Sequence, residues 1–453
     1  MLTKQLLMVL LTKLFPNVPN QKIFCNTPWY EFHIYWDGSF GICCAEAHKP
    51  YAKGDSRYNV ARMGVMEWFN SQPVRQFRQR ILGDTALTAC ARCTRDEQYG
   101  NDSRRFKSNQ KSVIFTKTAF DPSWQQSPGQ PHFEHSINHN GAATSYPIDL
   151  HIDLGNYCNL ACKMCNASAS STIAGQEVKW GIETSRPFLG QDWTRDQTVW
   201  DNFKQQLLDI PGLNQMHFMG GETLLTPRLE DLVDFMTEHN RFDQCFSFVS
   251  NGTVYRSELM AKLSRFKRVG IEISIESLGP QNAYVRQGTD TDKVLKNIEL
   301  YKSWCNESSI TVVIRTAPSL LSIGTYADLL RYCLQNKFIV KSNMVANPKY
   351  LDIVVLPTHI KAAYLPAFDQ LLDELATVDT TTDYNASDPN NVLQVIKEQV
   401  VQCRTALLTP QSNDADRLLD QLVQQCKKWD QVYKLDAREI YPELAEIWDC
   451  HGY

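Results

Sequence analysis

The chain has 453 residues, 46 lysines and arginines against 50 aspartates and glutamates, and a formal net charge of −4. That length allows a full-sized core and more than one domain, and the near-balance of charge lacks the basic excess of a general nucleic-acid binder, so no nucleic-acid partner is expected. Fourteen cysteines would suit a small secreted disulfide framework, but in a chain this long, partly clustered and partly scattered, they read as the reduced thiols of a cytoplasmic protein.

In chain order, Lys4 to Lys13 encloses a short apolar run, too short to span a bilayer and followed by no small-residue cleavage site before Pro16. A terminal helix packed on the body is expected, with no membrane association. Then come Cys25, the pair Cys43-Cys44, and Cys90-Ala91-Arg92-Cys93. Tyr35 to Cys43 reads as a hairpin turning at Asp37-Gly38, and Val60–Leu82 as largely helical. Four thiolates close a cubane iron–sulfur cluster without an open corner. Cys25, Cys43, Cys90 and Cys93 are the expected ligands, with Cys44 as the spare or the substitute and a structural zinc site as the alternative. The run Arg104-Arg105-Phe106-Lys107 reads as solvated surface, and the Pro-, Gly-, Ser- and His-rich stretch from Asp121 to Ser145 as a linker.

From Ile148 onward, β-rich runs alternate with amphipathic helical segments, the pattern of a parallel α/β sheet or barrel. The expected strands are Ile148–Leu154, Gln215–Met219, Ser247–Ser250, Gly270–Ile275, Ile310–Thr316 and Ile339–Val345. Directly after the first of them stand Cys158, Cys162 and Cys165, in the loop that belongs to the active face of a βα barrel. Three thiolates hold three corners of a four-iron cube and leave one iron open to another ligand; a zinc knuckle or a buried cysteine trio is the alternative. Met219-Gly220-Gly221-Glu222 closes the second strand, Ser250-Asn251-Gly252-Thr253 the third and Ser274-Ile275-Glu276-Ser277 the fourth. Paired glycines permit close backbone approach to a ligand, and a carboxylate accepts from an ammonium group. Arg286 and Arg315 either face the same mouth or form salt bridges. After Pro357 the pattern is helical and polar, with segments near Leu365–Leu375, Val392–Leu408 and Leu418–Trp429 and an exposed loop from Asp379 to Asn391.

The C-x3-C-x2-C spacing after a first strand, with Gly-Gly-Glu at the end of the second, resembles the radical S-adenosylmethionine (radical SAM) superfamily. The resemblance implies a partial (β/α)6 barrel whose [4Fe–4S] cluster, on Cys158, Cys162 and Cys165, binds SAM at its open iron. It also implies cofactor contacts from Gly220, Gly221, Glu222, Ser250, Asn251, Ser274 and Glu276. The chemistry implied is reductive cleavage of SAM to a 5′-deoxyadenosyl radical that abstracts hydrogen from a substrate C–H bond. The N-terminal cysteines are similar to a twitch or SPASM-type auxiliary [4Fe–4S] domain, although here that domain precedes the barrel, where most relatives place it after.

The domain limits that follow are 1–108 for the cysteine-rich α+β auxiliary domain, 109–147 for the linker, 148–357 for the partial barrel and 358–453 for the helical tail. The resemblance implies an oxidoreductase-type enzyme that matures a peptide or protein and draws electrons from a flavodoxin- or ferredoxin-type donor. A small-molecule alcohol dehydrogenase using the same radical route, or a non-catalytic iron–sulfur electron-transfer protein, are the alternatives. The residues single out no catalytic acid or base.

Overall fold

The computed structural model describes residues 24–44, 57–83, 87–98, 103–109, 135–190, 192–305, 309–378 and 392–453. The terminal helix expected at Lys4–Lys13, most of the expected linker and the loop expected from Asp379 to Asn391 lie outside the described residues. The chain divides into two compact units, one of residues 1–157, 181–248 and 258–269, the other of residues 158–180, 249–257 and 270–453.

In the first unit, strands β1 (Glu31–Ile34) and β2 (Phe40–Gly41) form a short antiparallel hairpin whose turn places Gly38 at φ +79°. Strand β1 also pairs in parallel with β3 (Asp149–Asp153), Glu31 opposite Asp149 through Ile34 opposite Ile152. Parallel pairing continues to β4 (Gln215–Met219) and to β5 (Cys245–Ser250), whose residues 245–248 belong to this unit. The hairpin strand thus joins the sheet instead of standing in a separate layer. Its sequence explains this: Phe32 and Ile34 fall on one face and Glu31 and His33 on the other, the alternation that β3 repeats with Leu150, Ile152 and Asp149, His151, Asp153.

The helices Val65–Phe69 and Gln72–Leu82 lie in the stretch expected to be helical. Arg78, fully buried in the longer one, donates to the carbonyls of Pro28 (2.9 Å), Phe69 (2.7 Å) and Gly141 (3.2 Å) and to Asn70 Oδ1 (2.9 Å). Burial lowers its pKa to about 9. Residues 135–147 of the expected linker are tied down as well: Ser136 Oγ accepts from Trp29 Nε1 at 2.8 Å, and Ser145 Oγ donates to Trp29 O at 2.6 Å. Arg104 and Arg105, expected as solvated surface, are instead largely buried and paired, Arg104 with Glu31 and Arg105 with Glu97. A carboxylate within reach of each guanidinium made burial the better state.

The second unit holds β6 (Arg268–Ser274, from residue 270), β7 (Ile310–Thr316) and β8 (Ile339–Ser342), in that order, with β7 and β8 parallel from Val313 opposite Ile339 to Thr316 opposite Ser342. Three long helices, Thr358–Thr377, Val392–Leu408 and Ala415–Tyr433, complete it. Their buried stripes, such as Ile396, Val400 and Cys403, or Leu418, Leu422, Val423 and Cys426, repeat at helical spacing. The six strands from β3 to β8 lie where the sequence places them, and the fold class is the expected α/β with parallel strands and a helical C-terminal region. No described helix is long and apolar enough to cross a membrane.

Arg78→Met keeps the apolar stem but strands three buried carbonyls. At about 1–3 kcal/mol for each unpaired group, the first unit is expected to lose about 3 kcal/mol or more, read as a lower thermal unfolding midpoint by circular dichroism.

Candidate functional site

Three separate segments of the first unit bring four cysteines to one cavity. Cys25 lies just before the short turn Thr27–Trp29, Cys43 just after β2, and Cys90 and Cys93 at the start of the helix Ala91–Gln98; all four line the cavity, together with Arg104, Arg105, Ile42, Phe77 and Ile81. The Cys25 segment is held by side-chain amides, with Asn26 N donating to Asn109 Oδ1 (3.0 Å) and Asn109 Nδ2 to Phe24 O (2.8 Å). Burial pushes the Cys25 thiol up to about 12 and raises Cys93. The two guanidiniums on the wall are the charges that would compensate thiolates there. A donor set of four thiols around a cavity fits the four-ligand cluster expected from the sequence.

Cys44 points elsewhere. Its sulfur lies within 4.8 Å of ligand atoms of Glu31 and His151, but Arg104 already pairs with Glu31 and reaches His151 Nε2 at 3.2 Å. A cation in that knot would displace an arginine, which marks it as a neutralised ion-pair cluster and not a metal centre. The two neighbours thus face different surroundings, Cys43 the four-thiol cavity and Cys44 the Glu31–His151–Arg104 cluster.

The sheet of this unit has a buried polar face. His33, His151, His217 and Ser247 stand opposite one another across β1, β3, β4 and β5, and His217 Nδ1 lies 2.7 Å from Ser247 Oγ. His33 Nε2 is 3.0 Å from Asp153 Oδ1. The pair is 5% and 8% exposed, and His33 Nδ1 is buried with no hydrogen-bond partner among the described residues. No reading of the sequence singled out His33 or Asp153. The available signal was the alternation Asp149-Leu150-His151-Ile152-Asp153, unusual for a parallel strand buried on both faces.

Gly220 and Gly221 adopt φ +81° and +55°. A Cβ on Gly221 would come within 2.2 Å of Tyr157 O, and one on Gly220 within 2.5 Å of Gly155 O and 2.7 Å of Asp153 Cβ. Glu222 N donates to Tyr157 O at 2.7 Å, and its buried carboxylate caps Leu224 N at 3.0 Å. The close approach expected between these glycines and a ligand is, in the structure, an approach to the end of β3, which they clamp just before Cys158.

The second unit carries the three-cysteine loop. Ala161 N donates to Gln287 O (2.9 Å) and Lys163 N to Val285 O (2.8 Å), while Thr172 Oγ1 donates to Cys158 O (2.6 Å). Asn159 accepts from Asn251 Nδ2 at 2.8 Å and donates to Thr253 Oγ1 at 3.1 Å, so Asn251 supports the loop. Ser250 Oγ accepts from Gly252 N at 3.1 Å, and Ser274 is buried at the end of β6. Glu276 is wholly buried, taking Arg286 Nε (3.1 Å) and Nη2 (2.5 Å) on one oxygen and Ala317 N (2.6 Å) on the other. Arg315 pairs with Glu272 at 2.5 Å. Burial raises Cys162 and Cys165, Cys165 to about 12. Three thiols on one pinned loop fit a cluster with an open corner.

The helical tail also reaches this loop. Lys163 is 4% exposed, with its ammonium over the rings of Trp429 (4.4 Å), Tyr433 (4.7 Å) and Tyr284 (5.3 Å).

Residues 152–316 match the family model of the Radical SAM superfamily, and residues 25–94 that of an iron-sulfur cluster-binding domain, SPASM. No curated protein matches the chain. Among solved structures, native anSMEcpe with bound AdoMet is similar at 19% identity and TM-score 0.38, over 51% of this chain and 61% of that one. Streptococcus suis SuiB bound to S-adenosylmethionine is similar at 13% identity and TM-score 0.33, over 66% and 62%. The same protein bound to precursor peptide SuiA gives 13% and 0.31, over 64% and 58%. The chain therefore spans less than two thirds of the length of these structures.

Two expected outcomes follow for variants. Cys43→Ser should lower the iron bound per chain after anaerobic reconstitution, while Cys44→Ser keeps it at the wild-type level; the reverse order would reassign the ligand. Gly221→Ala, which forces a Cβ onto Tyr157 O, should cost about 1–3 kcal/mol and weaken SAM binding, measured by equilibrium dialysis.

Proposed function

We propose, for a chain that belongs to the radical SAM superfamily and carries a SPASM-type iron–sulfur domain ahead of its barrel strands, the oxidative modification of a peptide or protein at a C–H bond. The observation that carries this reading is the pair of thiol sets, a pinned loop with three cysteines and a cavity lined by four. A single-cluster enzyme needs only the first set, and a simple electron carrier needs no incomplete one. The peptide follows from the auxiliary domain, whose relatives often act on peptides and proteins. The proposed division keeps residues 1–108 for the auxiliary cluster, 148–357 for the SAM site and 358–453 for the helical support. The proposed setting is cytoplasmic, with electrons from a flavodoxin- or ferredoxin-type donor.

Cys158, Cys162 and Cys165 would hold the cluster that binds SAM, and Cys25, Cys43, Cys90 and Cys93 the auxiliary one. When bound, the first cluster and SAM supply a 5′-deoxyadenosyl radical able to take hydrogen from an unactivated C–H bond. The chain's own residues do the rest. Gly220 and Gly221 fix the β3 end and leave Glu222 N–H on Tyr157 O, and we assign the backbone of Gly220 to Glu222 to the ammonium end of SAM, with Ser250, Asn251 and Ser274 as further cofactor contacts.

After hydrogen abstraction, oxidation of a carbon that bears a hydroxyl, thiol or amide also releases one electron, which the auxiliary cluster on Cys25, Cys43, Cys90 and Cys93 would accept, and one proton. We assign its acceptor to His33: Asp153 takes the hydrogen on Nε2, which leaves the Nδ1 lone pair free to accept.

The test is 5′-deoxyadenosine release by anaerobically reconstituted, dithionite-reduced protein, given SAM and a set of Cys-, Ser- or Thr-containing peptides. The wild type should release it, and Cys158→Ala/Cys162→Ala/Cys165→Ala should not. No release by protein that carries a reduced four-iron cluster, with any peptide or small alcohol, would sink the reading. His33→Gln should still form 5′-deoxyadenosine but lower oxidised product by about 100-fold or more, the usual weight of a general base.

A further inference from the structure

Beyond holding the loop, the second unit aims one charged donor at one cysteine. The bonds Ala161 N to Gln287 O and Lys163 N to Val285 O flank Cys162 on one strand of chain and Arg286 on the other. The two residues are thereby set opposite each other as in an antiparallel pair. Arg286 Nη1 lies 3.8 Å from Cys162 Sγ. Its other edge, Nε and Nη2, is occupied by Glu276 Oε1. Glu276 is fixed in turn: its second oxygen accepts from Ala317 N at 2.6 Å, and its own N–H donates to Asn282 Oδ1 at 2.9 Å. Arg286 N donates to Asn282 O at 2.7 Å. Backbone and side chain are both held, so the remaining N–H edge has one direction to point, toward the sulfur.

We propose that Arg286, oriented by Glu276, is a positioning residue that raises the reduction potential of the cluster held by Cys158, Cys162 and Cys165. The inference rests on the reading that those three cysteines hold a cluster. Reduction adds one negative charge to the cluster and its thiolates. A guanidinium that donates to a ligand sulfur stabilises the reduced state more than the oxidised one, and hydrogen bonds to the sulfurs are among the main determinants of such potentials. Arginine suits this role because it stays charged at any working pH and presents a rigid fork with separate edges for two partners. Glu276 is then an orienting group for Arg286, with one oxygen accepting from Arg286 and the other from Ala317 N.

The experiment is an EPR-monitored redox titration of the full-length, anaerobically reconstituted protein, following the component of the reduced signal that changes when SAM is added. Wild type is compared with Arg286→Gln, Arg286→Lys and Arg286→Gln/Glu276→Gln. The double variant strands no buried carboxylate, so it reports on Arg286 even where Arg286→Gln alone fails to load. The reduction equilibrium should move at least tenfold toward the oxidised cluster in Arg286→Gln, about 59 mV for a one-electron couple. The double variant should move in the same direction by less, and Arg286→Lys should recover part of the shift. Unchanged midpoints in the double variant and in Arg286→Lys, at wild-type iron content, would overturn the proposal. Iron analysis separates this from failure of the underlying reading: wild-type protein with no four-iron cluster dependent on Cys158, Cys162 and Cys165 would overturn both.

Discussion

The first unit depends on the parallel pairing of Glu31–Ile34 with Asp149–Asp153. Four residue pairs bring the N-terminal cysteine segment into the sheet and set its register. A slip by one residue would turn Phe32 and Ile34 onto the polar face and His33 and Glu31 onto the apolar one, which makes the register well specified. From that register follow the meeting of His33 with Asp153, the placing of Glu31 beside Arg104 and the position of Cys25 six residues upstream of Glu31. The sheet is buried on both faces, yet one face is lined with histidines, carboxylates and a serine. Burying such groups costs free energy unless they are paired, and His33 with Asp153, His217 with Ser247 and Glu31 with Arg104 offset part of that cost.

The second unit has a different organising feature, the two backbone bonds between residues 161–163 and 285–287. A loop outside regular secondary structure, such as Asn159-Leu160-Ala161, would not hold three thiols in place through its own propensity. Here Leu160 is buried, Asn159 is bonded at both ends of its amide, and the flanking helix Ser171–Lys179 is capped by Ser170, whose hydroxyl also donates to Leu160 O. Preorganisation of this kind places the cost of ordering the loop in folding and not in cofactor capture.

Much of this was legible before the structure. The β-rich runs and helical repeats carry their period in the side chains, so all six strands from β3 to β8 and the three tail helices stand where the pattern puts them. Cysteine spacing exposed both thiol sets because metal-ligand chemistry constrains spacing more than folding does. What stayed hidden depends on partners far apart in the chain. A four-residue strand such as Glu-Phe-His-Ile is too short to declare itself, and its partner lies more than a hundred residues on. Arg104 and Arg105 read as solvated because Glu31 and Glu97 could not be placed beside them. The ion pair of Glu276 stayed hidden because Arg286, which takes up one of its oxygens, stands beyond the following helix Pro280–Val285. Cys43 and Cys44 are equal as letters and differ only in the direction each side chain takes.

Two cations lie near Cys162, Lys163 on the three-cysteine loop and Arg286 facing it, and their surroundings make them unequal. Lys163 lies over three aromatic rings with no carboxylate in hydrogen-bond contact, and burial lowers its pKa to about 7, against the opposing pull of Cys426 and Asp430. Its aliphatic stem and ring contacts hold the tail helix. Arg286 faces Glu276 across a short, fixed contact and keeps its charge under all working conditions. The arginine is the cation that donates toward Cys162 Sγ, while the lysine fastens Ala415–Tyr433 to the loop. A chain that needed only charge at this place could have used either residue; separate roles require both.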